Sequence, residues 1–246
     1  MSSPFRPFHG PWRPAAPPER IPPLSLPPAS RPSGLPTISL PEFKYVVDPR
    51  CMDDPSAIPG RRGPALAQGF KEAIMAPYGP TWSGVLGDGS SVAGDEEVRG
   101  MLSASRALVY LDPGRLPGHV LPLRLASADM QSLKLLICLD RSYNDAVMRR
   151  QTSLDVKKTK EDLDCEQPRE VAALLTLRGA QAIVMPCAPT LADQNLVLAK
   201  QVFEAMKSGS TLGKAVRAKT KTLKTDVDVA KTCYVTFGVP MAKIAE

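Results

Sequence analysis

Apolar residues gather along this chain in two patterns. Short, near-continuous apolar runs end in turn-forming residues: FKYVVDP (43–49), RALVYLDPG (106–114), LKLLICL (133–139), QAIVMP (181–186) and TCYVTFGVP (232–240). Such runs, apolar without alternation, predict strands covered on both faces. Between them the apolar positions step at helical spacing. Leu66, Phe70, Ile74 and Met75 predict a helix within 64–79, with Pro64 in its first turn and Pro77 stopping it. DEEVRGMLSAS (95–105) opens with acids that suit a helix dipole. Pro168 and Gly179 bracket a helix with Val171, Leu174 and Leu175 inward. Leu198, Val202, Phe203 and Met206 mark the next, closed by Gly209. A Ser or Thr cap then opens a helix with Leu212, Ala215 and Val216 inward. The stretch 82–97 is dense in Gly, Ser and Asp and reads as loop, and the charged stretch 141–167 reads as an exposed, partly helical excursion.

Strands alternating with helices predict an α/β layered fold. The strand, helix, strand order from Leu135 to Met185 is a βαβ unit, hence locally parallel. Residues 1–37 are set apart: of 26 prolines, 13 fall in the first 41 residues. Proline fixes φ and removes backbone donors, so this segment predicts a disordered or polyproline II tail, or a PxxP ligand, ahead of a domain at 38–246.

The remaining composition narrows the chemistry. A net charge of +6 suits an acidic partner without requiring one. Five dispersed cysteines without a CxxC pair, and only two histidines, argue against a disulfide framework or a zinc site, and favour a reducing compartment. Neither a secretory signal nor a membrane span is expected, and no motif calls for a cofactor or metal.

The last third, LLTLRGAQAIVMPCAPTLADQNLVLAKQVFEAMKSGSTLGKAVRAK, resembles the C-terminal half of a CHAT domain, a caspase-like module often found with tetratricopeptide repeats. The matching parts are Gly179-Ala180, the strand Ile183 to Met185, the helix Asp193 to Lys207, the cap at Thr211, and Tyr234, Gly238 and Pro240 near the end. The resemblance implies a three-layer sandwich with a mainly parallel central sheet and helices on both faces. It also implies a His-Gly after one strand and a cysteine after the next, because a thiolate nucleophile needs an adjacent imidazole. Here Pro113-Gly114 stands at the His-Gly position and Asp140 at the cysteine position. Proline can neither give nor take a proton, so the chain is expected to be a pseudoenzyme. The competing expectation is a shifted dyad. Cys138 lies two residues before Asp140, on the same strand face, and His119 follows Gly114 in a loop without an obvious acid to orient it. The plainer expectation puts Cys138 in the core and has Asp112 and Asp140 cap turns.

The segments FKYVVDP, RLASADMQSLKLLICLDRS and RQTSLDVKKTKEDLDCEQPREVAALLTLRGAQAIVM also resemble the C-terminal region of a family of large, repeat-rich proteins of the ciliary central apparatus. That resemblance implies a structural role in the axoneme, with axonemal subunits or a tetratricopeptide-repeat protein as partners. Lys207, Lys214, Arg217, Lys219, Lys221 and Lys224 form the expected partner-facing surface, which would suit an acidic protein such as tubulin. No aromatic residues interleave these charges, so stacking on single-stranded nucleic acid is not expected.

Overall fold

The computed structural model describes residues 37–52, 66–87, 92–142, 145–220, 234–239 and 242–245. The proline-rich stretch before Thr37 lies outside them, as do Lys221 and Lys224. The chain runs from β1 (Thr37–Ser39) through a single 3-10 turn into β2 (Phe43–Val47). Then come α1 (Leu66–Phe70), a π-helical segment (Lys71–Met75) and α2 (Ala76–Tyr78), which form one continuous helical rod, followed by β3 (Ser83–Leu86). Next are α3 (Asp95–Ala104), β4 (Ala107–Leu111), α4 (Leu116–His119), α5 (Pro122–Ser127) and β5 (Leu135–Leu139). The charged stretch forms α6 (Asp145–Asp155) and α7 (Lys160–Cys165). The last part is α8 (Pro168–Leu177), β6 (Ala182–Pro186), α9 (Ala192–Lys207), α10 (Leu212–Thr220), β7 (Tyr234–Gly238) and β8 (Lys243–Ala245).

The main sheet has the order β3-β2-β4-β5-β6-β7, parallel except for the antiparallel pairing of β6 with β7. All five residues of β4, β5 and β6 are buried, as their unbroken apolar runs predict. Alternate residues of each strand serve opposite faces. Val109, Leu135, Ile137 and Val184 join one core with Phe70 of α1 and Val202 and Phe203 of α9. Leu108, Tyr110, Leu136, Cys138 and Met185 join the other, with Leu102 of α3, Leu125 of α5 and Val171 and Leu175 of α8. Two cores on one sheet make the expected three-layer sandwich.

Helix ends follow the same local logic. After α8, Gly179 (φ +113°) lets Ala180 N–H reach Leu175 O at 3.0 Å while its own N–H reaches Thr176 O at 3.0 Å. After α9, Gly209 (φ +85°) repeats the arrangement with Ser210 to Ala205 and Gly209 to Met206. Both are Schellman closures, which return orphaned carbonyls to hydrogen bonds and aim the chain at its next element.

Four segments depart from the sequence expectation. Ser83–Leu86, expected as loop, is the edge strand beside β2; only Val85 is buried, so it lacks the apolar run of a central strand. β1 and β8 form a separate parallel pair, with Ile38 opposite Ile244. His119, expected on a loop, ends α4, a single turn that Pro117 and Gly118 disguise in the sequence. Among the described residues no helix is long and apolar enough to cross a membrane.

Candidate functional site

Parallel strands bring their C-terminal ends to one edge of a sheet, and α/β folds place ligands there. Three adjacent strands end in aspartate at that edge: Asp48 after β2, Asp112 after β4 and Asp140 after β5, each at most 2% exposed. Each has a defined task. Asp48 Oδ1 accepts Met52 N–H at 2.7 Å. Asp112 Oδ1 accepts Gly114 N–H at 2.9 Å, a turn cap, and its Oδ2 accepts Tyr110 O–H at 2.6 Å. Asp140 Oδ2 accepts Leu116 N–H at 3.0 Å, so it caps the first turn of α4 from a different strand instead of its own turn. Its Oδ1 has no hydrogen-bond partner and lies 3.7 Å from Arg141 Nε. Burial raises the Asp140 carboxyl to about 6, partly opposed by the Arg141 charge and the Leu116 hydrogen bond. Arg141 itself is held at φ +62°, its N–H on Gly114 O at 2.9 Å and its carbonyl accepting Thr190 N–H at 3.1 Å. This locks the turn after β5 to the turn after β4.

Pro113 and Asp140, expected from the sequence to stand where a histidine and a cysteine would, sit side by side at this edge, both buried. Cys138 is paired in register with Tyr110 and is fully buried. Burial, with the Asp140 charge adding to it, pushes its thiol well above the usual range. His119 is also buried, at 6% exposure. Its Nδ1 lies 4.0 Å from Asp112 Oδ2, beyond hydrogen-bond reach, and has no hydrogen-bond partner among the described residues, so no acid orients the ring. Burial, aided by the Arg50 charge, lowers the imidazole below its ordinary value. Neutral imidazole and neutral thiol are the resting states this environment favours.

The excursion 141–167 packs back onto this edge. Arg115 pairs with Asp155 at the end of α6 and with Glu166 at 3.2 Å. Lys158 reaches the same two acids, and Arg141 donates to the Glu166 carbonyl. Glu166 is 2% exposed, so this ion cluster is largely out of water, where losing one partner is costly. Under α6 lies a cavity of about 330 Å³. Asp112 and Arg115 form part of its wall, whereas Cys138, His119 and Asp140 do not reach it. A second buried cluster adjoins the turn after β5 through Ser142 and Thr190. Asn195 Oδ1 accepts Thr190 O–H at 2.9 Å and Tyr234 O–H at 2.6 Å, and its Nδ2 donates to Ser142 Oγ at 2.9 Å.

Of the basic residues expected to face a partner, Lys207, Lys214 and Arg217 are exposed, on α9 and α10 and away from the strand ends. The structure adds a basic group around the cavity that was not singled out from the sequence. The doublets Arg149-Arg150 and Lys157-Lys158 were its local signals; Arg50 and Arg115 carry none. Among the described residues no cluster of His, Cys, Asp and Glu could hold a metal ion.

No protein-family model matches the chain. The chain is 28% identical over 203 residues to cilia- and flagella-associated protein 46 of Chlamydomonas reinhardtii, covering 75% of this chain and 7% of that protein. It is homologous to that protein. Among solved structures it is similar to a chain of the Saccharomyces cerevisiae separase–securin complex, with TM-score 0.57 and 14% identity, covering 87% of this chain and 13% of that one. A second structure of that complex gives TM-score 0.54, 12% identity and coverage of 85% and 12%. At such identities the likeness concerns the fold, which is caspase-like.

Proposed function

We propose that this chain is a catalytically silent caspase-fold module, CHAT-like in origin, that serves as a structural docking domain in the ciliary axoneme. The observation that carries this is the pair of adjacent strand ends holding Pro113 and Asp140, with the nearest thiol, Cys138, sealed in the core. A caspase-type hydrolysis needs a thiolate within reach of both base and substrate. Here the thiol is held protonated and out of the cavity. The homology to cilia- and flagella-associated protein 46 supports the ciliary setting. The exposed Lys207, Lys214 and Arg217 offer a face for an acidic axonemal subunit, tubulin included, or for a repeat-protein partner.

The test is fractionation of ciliated cells expressing the tagged full chain. The tagged chain should stay with the detergent-extracted axoneme; release with the membrane and soluble matrix would overturn the reading. A cysteine peptidase using Cys138 and His119 is the competing function, favoured only by the approach of Asp112 to His119. Turnover of a positional peptide library by the purified chain, lost in Cys138→Ala, would establish it.

A further inference from the structure

The cavity under α6 has a consistent chemistry. Its cations are Arg50, Arg115, Arg150, Lys157 and Lys158, against one acid in the wall, Asp112, which Tyr110 and Gly114 already occupy. Asp155 and Glu166 absorb Arg115 and Lys158. The side chains of Arg150 and Lys157 are exposed and make no ion pair or hydrogen bond with any described residue. Deeper in, Arg115 has a side chain only 10% exposed whose Nε has no hydrogen-bond partner. The cavity thus has unpaired positive charge at its rim and an unpartnered donor, Arg115 Nε, in its wall. It also has an apolar lip: Leu121 is 56% exposed and Leu154 47% exposed, with Met52 beside them. Much of this wall comes from the excursion 141–167, which replaces the loop expected after a catalytic strand.

We propose that this cavity docks an acidic peptide segment of a partner protein. A carboxylate side chain meets Arg150 and Lys157, and a neighbouring apolar side chain enters between Leu121 and Leu154. A small inorganic anion would use the charge and leave the apolar lip bare, whereas a peptide with both uses both. The chain's own proline-rich segment has the wrong sign, carrying Arg6, Arg13, Arg20 and Arg31 against Glu19. This proposal rests on the docking-module reading and names the chemistry of its partner.

The test is fluorescence polarisation on the full chain with a labelled Glu-Glu-Leu-Glu-Glu peptide. Its Lys-for-Glu and Ala-for-Leu counterparts and inorganic pyrophosphate serve as competitors. The acidic peptide should bind. Binding should weaken about tenfold in the Arg150→Glu/Lys157→Glu double variant, by losing two favourable charge contacts and gaining two repulsive ones. Both changes are at exposed, unpaired positions, so the thermal unfolding midpoint should hold. Arg169→Glu/Lys200→Glu, at exposed positions that do not line the cavity, should leave binding unchanged, and the Ala-for-Leu peptide should compete more weakly than the parent. Equal loss in both double variants would mean diffuse charge attraction and overturn the proposal, and pyrophosphate matching the peptide would overturn it in favour of an anion site. Cleavage of the bound peptide would overturn the silent-module reading and leave the pocket standing.

Discussion

Asp140 offers the sharpest quantitative handle on the strand-end site. Its carboxyl is fully buried, with one oxygen capping α4 through Leu116 and the other unpartnered. Burial is the main reason its carboxyl is pushed up to about 6 from the ordinary 3.8. With the folded value above the unfolded one, the native state holds the proton more tightly between those pH values. Stability from this group is therefore fully present below pH 3.8 and is lost as pH rises toward 6. A difference of this size corresponds to about 3 kcal/mol, counting about 1.4 kcal/mol per pH unit. Asp140→Asn keeps the shape and an oxygen for the Leu116 N–H but cannot ionise. Urea unfolding of both proteins from pH 4 to 7.5 isolates the effect, because other titrating groups such as His119 cancel in the difference. The variant should gain on the wild type by about 2–3 kcal/mol between pH 4 and 6.5, and the gap should be flat above that. A gap that stays constant with pH, or closes as pH rises, would refute the account of Asp140 as a buried, solvent-starved cap.

Asn195→Ala should cost about 2–4 kcal/mol in chemical denaturation, since it removes the bonds of Thr190, Ser142 and Tyr234 to one fully buried amide; a loss below about 0.5 kcal/mol would show that the cluster is not a support. Gly179→Ala should cost distinctly more than Gly209→Ala. Both residues have positive φ, for which a side chain costs about 1–2 kcal/mol, but a Cβ on Gly179 would stand 2.8 Å from the Gln131 backbone while one on Gly209 meets nothing within 4 Å. Equal losses in the two variants would contradict that packing.

The central strands were legible because burial on both faces leaves no polar position to interrupt them. β3 was not, since Ser83 and Gly84 are exposed and the strand owes its place to pairing with β2. The places of Pro113 and Asp140 at strand ends were also readable, because they depend only on where β4 and β5 end. Their environment was not. The approach of Asp112 to His119 depends on the α4 turn, and the Leu116 cap on Asp140 spans 24 residues. The basic cavity was illegible for the same reason: Arg50, Arg115 and Arg150 come from three separate segments and meet only after α6 folds back over the sheet edge. Lys207, Lys214 and Arg217 were legible as surface charge but not as one helix: Lys207 ends α9, whereas Lys214 and Arg217 stand on α10.

The claim that the domain is catalytically silent turns on one thiol. Cysteine labelling of the native chain with an iodoacetamide probe, followed across pH and mapped by mass spectrometry, addresses it directly. Exposed Cys165 and Cys187 should label readily, Cys51 more slowly, and Cys138 only once the protein unfolds. Rapid native labelling of Cys138 with a titration below the ordinary thiol range would contradict the account and make it a nucleophile.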